Sequence, residues 1–242
     1  MVNIAPHDRD EQVLSHIGLY RITLRHVLAR VFFDGGNPGN LIQRLLSEGR
    51  ITVRQGLPSR VSYYQLSLAE VRRRGLPADR SRPPHGQALA SHLGALWFCS
   101  EPGTQRRRLE THELQQLFSS DHARVPHCIE AGSPPHILRI QVVAPRASLP
   151  TAVRMLRRRI ERLREHTVLG PWIRNRQYCF LMLADDSRRA EGLRRLLHER
   201  GADRRAEIVV GEAPSIDGLP GVLRRLAPEH VSQAATLWSP DG

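Results

Sequence analysis

The segment Asn37–Arg54, NPGNLIQRLLSEGRITVR, decides the fold of the N-terminal part of the chain. Its apolar residues recur three and four positions apart, which is the spacing of one face of an α-helix. These apolar positions are Leu41, Ile42, Leu45 and Leu46. Asn37 is suited to cap this helix, and Pro38 is suited to its first position. Gly49 is suited to end the helix, and the alternating residues Arg50–Arg54 then predict a strand.

Two further helices are predicted before this segment, and a second strand is predicted after it. Apolar spacing predicts helices over Asp8–Ile22 and Leu24–Phe33, with Thr23 as the N-cap of the second. Gln55–Arg60 is polar, contains a glycine and a proline, and predicts a turn into the strand Val61–Leu66. Three helices followed by a basic hairpin is the order of elements in a winged helix-turn-helix.

The face of the third helix opposite its apolar stripe is polar, and the hairpin that follows is basic. Asn and Gln side chains can pair with adenine in the major groove, and Arg can pair with guanine. Hairpin arginines can contact phosphates or enter the minor groove. The candidate DNA-binding residues are therefore Asn37, Asn40, Gln43, Arg44 and Ser47 on the helix and Arg50, Arg54 and Arg60 on the hairpin. A polar helix face that binds another protein is the alternative.

The composition agrees with a polyanionic partner. The 242 residues carry a formal net charge of +12, and a surface of this sign attracts polyanions such as nucleic acid. Every basic residue is arginine, which a GC-rich genome also favours, so only the excess of positive charge is informative. No apolar run is long enough to cross a bilayer and the first helix is acidic, so we expect a cytoplasmic protein without a membrane partner. Three widely spaced cysteines do not form a disulfide framework.

The second half of the sequence changes character after a proline-containing linker. We predict four regions: a winged helix-turn-helix over 1–75, a linker over 76–84, an α/β domain over 85–213 and a tail over 214–242. The first region ends with a short helix, Ser67–Arg74. The predicted later helices are His85–Phe98, Leu109–Phe118, Leu149–His166 and Ser187–Arg200, and the strands are Val125–Ile129, Ile137–Val143, Tyr178–Leu183 and Glu207–Val210. Alternating helices and strands indicate a mixed sheet, so the whole chain is predicted to be α+β.

Four segments carry a resemblance to a known family. They are Leu41–Arg50 leading into the wing, Tyr64–Glu70, which is similar to a "Y-x-L-T-x-x-G" exit from the wing, the His85–Phe98 helix, and Tyr178–Leu183 followed by Asp186, Ser187 and Arg188. In this order they resemble the replication-relaxation proteins of plasmids and phage-like elements, to about residue 210. The resemblance implies a winged helix joined to a restriction-endonuclease-like domain, in a regulator of replication or transcription on a mobile element.

The resemblance also implies where nuclease chemistry would lie. A restriction-endonuclease-type core needs an acid after a proline and an acid-x-Lys pair on the next strand, because the carboxylates bind Mg²⁺ and the lysine positions water. The equivalent positions here hold His127 and Glu130 on one strand and Gln141 and Val143 on the next. Glutamine is neutral and valine cannot donate a hydrogen bond. We therefore expect a degenerate nuclease scaffold with no catalytic residue, no metal and no other cofactor.

Two other functions remain open from the sequence. A metal-dependent nuclease could use Glu130, Asp185 or Asp186, and Mg²⁺-dependent nicking lost in Glu130→Ala would reveal it. Asp186 is more simply suited to cap the helix that follows it. An adaptor would instead bind a replication or mobilisation protein through the polar helix face. Winged-helix proteins often bind two half-sites as symmetric dimers, so the leading interpretation predicts double-stranded DNA as the partner and a homodimer.

A loose group of histidines and one cysteine is the remaining candidate for a metal site. Its members are His122, His127, Cys128 and His136. Their spacing fits no standard zinc finger, so we expect ordinary surface or core side chains there.

Overall fold

The computed structural model describes residues 6–118 and 125–226. Its helices are α1 (Pro6–Tyr20), α2 (Arg25–Phe32), α3 (Gly39–Ser47), α4 (Leu68–Arg73), α5 (Gly86–Cys99), α6 (Thr111–Leu117), α7 (Leu149–Arg164), α8 (Leu169–Arg174), α9 (Ser187–Glu199) and α10 (Leu219–Leu226). Its strands are β1 (Ile51–Gln55), β2 (Ser62–Leu66), β3 (Arg106–Arg108), β4 (His127–Glu130), β5 (His136–Val142), β6 (Tyr178–Ala184) and β7 (Ile208–Glu212). His122 and most of the predicted tail, residues 227–242, lie outside the described residues.

The first three helices and the β1–β2 hairpin form one unit around an apolar core. Leu41, Ile42 and Leu45 of α3 are buried in that core, which confirms the predicted apolar face of the third helix. β1 and β2 pair antiparallel, with Ile51 opposite Leu66, as the two alternating segments predict. Ile51 and Leu66 are both buried in this core, so these paired strand ends place the hairpin on it.

Thr23 does not cap the second helix, so that prediction was wrong. The Thr23 amide donates to the carbonyl of Tyr64, and the Tyr64 amide donates to the carbonyl of Thr23, both at 2.9 Å. This bridge adds a short third partner to the hairpin, and α2 begins at Arg25 without a side-chain cap. Backbone pairing with a distant strand therefore decides the conformation of Thr23 more than its local helix-capping preference does.

The second unit is built on a five-stranded mixed sheet in the order β3-β4-β5-β6-β7. β3, β4 and β5 pair antiparallel, whereas β6 pairs parallel with both β5 and β7. α5 packs against one face, and α7 and α9 pack against the other. All seven residues of β6 are buried, which explains its continuous apolar sequence. The described chain is thus α+β with a mixed sheet, as predicted.

One apolar cluster joins the two units. Ile22 and Leu24 of the first unit lie in the same cluster as Leu96 of α5 and Leu138 of β5. The segment 76–84 also lies against the first unit. The hydrogen bonds that hold it there include one from Arg80 Nη1 to the Gly18 carbonyl at 3.2 Å and one from Gln65 Nε2 to the Arg82 carbonyl at 3.3 Å.

Two elements of the second unit were not predicted. Arg106–Arg108 forms β3, with Arg106 opposite Glu130 of β4. The short helix α8 follows α7 and buries Leu169 and Ile173. The cysteines, Cys99, Cys128 and Cys179, are free and buried, in agreement with the absence of a disulfide framework. In the described ranges no helix is both long and apolar enough to cross a membrane.

Candidate nucleic-acid interface

The outer face of α3 presents two amide side chains to solvent. Asn40 and Gln43 lie three positions apart and are both exposed, whereas their neighbours Leu41 and Ile42 are buried. Within the described residues neither amide side chain has a hydrogen-bond partner. Each amide therefore keeps a donor and an acceptor free, as bidentate pairing with adenine in the major groove requires.

The start of α3 differs in detail from the prediction. The helix begins at Gly39, so Pro38 precedes it instead of occupying its first position. Asn37 Oδ1 accepts a hydrogen bond from the Gly39 amide at 2.8 Å and a second one from Arg25 Nη2 at 2.7 Å. The side-chain oxygen of Asn37 therefore accepts two hydrogen bonds inside the chain and has no acceptor position left for a base.

Arg25 is a residue that the sequence analysis missed. It is the first residue of α2, it is exposed, and its hydrogen bond to Asn37 holds it beside the start of α3. In a helix-turn-helix the helix before the recognition helix crosses the DNA backbone, so its first residues are placed to contact phosphates. The signal in the sequence was an arginine directly at the start of the second helix.

Arg44 is held by a carboxylate. Its Nε donates to Asp10 Oδ2 at 3.2 Å, and its Nη2 donates to Asp10 Oδ1 at 2.5 Å. The hydrogen bonds and charge of Asp10 raise the pKa of Arg44. Ser47 Oγ donates to the Arg44 carbonyl at 2.8 Å. Both side chains stay exposed, but their polar atoms are directed toward the protein.

Arg50 belongs to a network of charges between α1, α4 and the start of the hairpin. Its guanidinium contacts Glu70, which is 3% exposed, at 3.3 Å, and it also pairs with Glu11. Glu70 is further paired with Arg73 at 2.8 Å and with Arg74 at 2.6 Å. The Arg50 side chain is itself only 13% exposed. These contacts join three elements of the first unit and engage the Arg50 guanidinium within the chain.

The two remaining hairpin arginines point in different directions. Arg54 lines a cavity of about 340 Å³ together with Tyr63, Pro84 and Leu89, so it faces the junction with the second unit. Arg60 is exposed in the turn between the strands, with φ of 59°. Of the eight predicted residues, Asn40, Gln43 and Arg60 are exposed and form no hydrogen bond or ion pair through their side chains within the described residues.

His127, Glu130 and Gln141, three of the four positions predicted for a degenerate nuclease site, each form a hydrogen bond within the fold. His127 is 0% exposed, and its ring nitrogens contact the Val125 carbonyl and Tyr178 Oη, both at 2.8 Å. Gln141 Oε1 accepts a hydrogen bond from Arg159 Nη1 at 2.8 Å. Val143 is buried.

The carboxylates of the nuclease alternative are separated and each has a partner. Glu130 accepts from Arg106 Nε at 2.7 Å, and Asp185 pairs with Arg189 at 3.0 Å. Asp186 Oδ1 accepts from the Arg189 amide at 2.7 Å and so caps α9 as predicted. In residues 6–118 and 125–226 no three His, Cys, Asp or Glu side chains are grouped so that they could hold a metal ion.

Comparison with known proteins leaves the family open. No protein-family description matches the chain, and no curated protein matches it. A solved structure, "Structure of EndoMS in apo form", is 17% identical, with a TM-score of 0.28, over 68% of this chain and 66% of that one. The chain thus spans slightly less than two thirds of the length of that protein. A TM-score this low does not establish a common fold, and the resemblance to replication-relaxation proteins stays a prediction.

Proposed function

We propose that this protein binds double-stranded DNA through a winged helix-turn-helix made of α1–α3 and the β1–β2 hairpin. α3 is the recognition helix and the hairpin is the wing. The single observation that carries the proposal is the pair of free amides, Asn40 and Gln43, on the exposed face of a helix whose opposite face is buried. The amides would read base edges in the major groove, while Arg25 and Arg60 would contact phosphates on either side.

The second unit, in this proposal, is a restriction-endonuclease-like scaffold without nuclease chemistry. The order of elements supports this assignment. The antiparallel strands β3, β4 and β5 are followed by α7 and then by β6, which pairs parallel with β5. The internal partners of His127, Glu130 and Gln141 support the loss of the metal site. The proposed role is that of a regulator of replication or transcription on a mobile element, acting as a homodimer on a two-fold symmetric site.

The phosphate part of the proposal is tested by the salt dependence of DNA binding. Fluorescence anisotropy with a labelled duplex would give the slope of log Kd against log salt for the full chain. Arg25→Gln and Arg60→Gln should each weaken binding to all duplexes and should each reduce the slope by about 1, since each removes one phosphate contact.

Arg158→Gln serves as the matched control, because Arg158 is an exposed arginine on α7 of the second unit. Its slope should equal that of the wild type. If Arg158→Gln lowers the slope as much as Arg25→Gln and Arg60→Gln do, binding depends only on overall charge and the assignment of the interface is wrong.

A further inference from the structure

A cleft of about 990 Å³ lies at the junction of the two units. Leu76 and Pro77 line it from the segment after α4, Leu109 lines it directly after β3, and Leu114 lines it from α6. A space of this size, which combines these apolar residues with several polar and charged side chains, can hold a small organic ligand. It is separate from the exposed face of α3, because no α3 residue lines it.

Three arginines, Arg21, Arg80 and Arg108, line the same cleft. Arg108 is 8% exposed, and its Nη1 donates to the Tyr20 carbonyl at 2.8 Å and contacts His92 Nδ1 at 3.1 Å. In the part of the chain that the structure describes, neither Arg108 nor Arg80 forms an ion pair. Two carboxylates, Asp79 and Glu110, also line the cleft, so its guanidinium groups outnumber its carboxylates by one. Buried charges are ordinarily paired, so the positive charge of this cleft is only partly compensated.

Arg21 is paired, but incompletely. Its Nη2 lies 3.3 Å from Asp79 Oδ2, while its Nε is buried and has no hydrogen-bond partner among the described residues. Arg21 also has a φ of 71°, in the left-handed region that favours glycine. The chain therefore keeps a large basic side chain at a backbone position where glycine would fit with less strain.

The charges of these arginines oppose one another. Burial, together with the positive charges of Arg80 and Arg21, lowers the pKa of Arg108 to about 10, so Arg108 still carries its proton at neutral pH. Burial also lowers the pKa of Arg80, and the charge of Arg21 adds to this effect, whereas the charges of Asp79 and Glu110 oppose it. An anion bound between these guanidinium groups would relieve the repulsion.

We propose that this cleft binds a phosphate-bearing small molecule. Arg21, Arg80 and Arg108 hold the phosphate, and the rest of the molecule lies against the apolar residues of the lining, Leu76, Pro77, Leu109 and Leu114. Phosphate is favoured over a single carboxylate because its several oxygens can accept from more than one guanidinium at once. Such a phosphate belongs either to a free nucleotide or to the 5′ end of a DNA strand.

The test is isothermal titration of the full chain with adenosine 5′-monophosphate, with sodium chloride adjusted to constant ionic strength. Wild-type protein should bind one equivalent, and Arg80→Gln and Arg108→Gln should each weaken binding about tenfold, since each loses a charged hydrogen bond. Arg107→Gln is the matched control: Arg107 is exposed on the same strand, does not line the cleft, and pairs with Glu113. Its affinity should equal that of the wild type.

The Arg80→Gln variant keeps the test valid if the Arg108 variant fails to fold. It should fold, because within the described residues the Arg80 side chain makes one hydrogen bond, to the Gly18 carbonyl. No binding by the wild type, or equal affinity in wild type and Arg80→Gln, would overturn the proposal. Competition by a 5′-phosphorylated oligonucleotide but not by its unphosphorylated form would assign the phosphate to a DNA end. An Asn40→Ala, Gln43→Ala variant should still bind the nucleotide, so failure of the DNA-binding proposal would be seen separately.

Discussion

Polar side chains were predicted at two candidate sites, the outer face of α3 and the strands β4 and β5. Their environments in the fold differ. On α3, the amides of Asn40 and Gln43 are exposed and free of partners within the described residues. On β4 and β5, His127 and Gln141 are hydrogen-bonded to Tyr178 and Arg159. A polar residue in a predicted site is available to a partner molecule only where the fold leaves its donors and acceptors unpaired.

The arginines of the first unit also differ in whether they are paired inside the fold or exposed to solvent. A substitution of Glu70 tests this difference with the largest expected effect. Glu70 is 3% exposed and contacts Arg50, Arg73 and Arg74. Glu70→Ala should lower the free energy of unfolding by about 3 kcal/mol, because it leaves Arg50 largely buried without this partner. Urea unfolding measures the change.

Glu191→Ala is the matched control for Glu70, since Glu191 is 74% exposed and pairs with Arg194 on the surface of α9. Its effect should stay within about 0.5 kcal/mol. A loss below about 1 kcal/mol for Glu70→Ala would mean that Arg50 is not held by this network, and Arg50 would return to the candidate DNA contacts.

A second prediction concerns His92, a buried histidine of α5, and the pH dependence of the free energy of unfolding. Burial, and then the charge of Arg108, lowers the pKa of His92 from 6.5 to about 3. Between these values His92 is neutral in the folded chain but protonated in the unfolded chain, so acidification stabilises the unfolded state. Stability should therefore fall by about 1.4 kcal/mol per pH unit as the pH drops below 6.5, or about 2 kcal/mol by pH 5.

His92→Asn should remove this part of the pH dependence, as measured by urea unfolding at pH 7 and pH 5. His112→Asn is the control, since His112 is 65% exposed on α6 and should leave the difference unchanged. If His92→Asn loses as much stability between the two pH values as the wild type, then His92 does not remain neutral inside the fold.

The smallest predicted effect is on the hydrogen bond of His127. Tyr178→Phe removes the contact from Tyr178 Oη to His127 Nε2 and should cost about 1 kcal/mol in urea unfolding, with DNA affinity unchanged. Tyr64→Phe, at a partly exposed tyrosine of the hairpin, should have no effect on stability. A change in DNA affinity for Tyr178→Phe would place β4 and β5 in the DNA-binding site. It would contradict the difference drawn between these strands and the outer face of α3.

The sequence predicts the elements whose order follows from local spacing, and it misses contacts that distant segments supply. The apolar face of α3 and the capping of α9 by Asp186 were predicted and confirmed. β3 was missed because three successive arginines show no apolar alternation, and its strand conformation follows from pairing with β4. The internal role of Arg50 depends on Glu11 and Glu70, which lie in other elements.

The cleft at the junction shows the same limit of local patterns. Arg21, Arg80 and Arg108 come from three separate segments of the sequence, and no spacing relates them. They meet because α1, the segment after α4, and β3 pack together around α5. Only the folded chain reveals that, among the described residues, two of these arginines form no ion pair.

The most direct test of DNA recognition by α3 is selection of preferred sequences from a pool of random duplexes, with the wild type and with Asn40→Ala, Gln43→Ala. Gln105→Ala, Gln116→Ala, at two exposed glutamines of the second unit, is the control. The wild type and the control should enrich the same sequence, and the α3 variant should lose about tenfold in affinity per amide and its preference at the contacted bases. The same enriched sequence in all three proteins would contradict the assignment of α3 as the recognition helix.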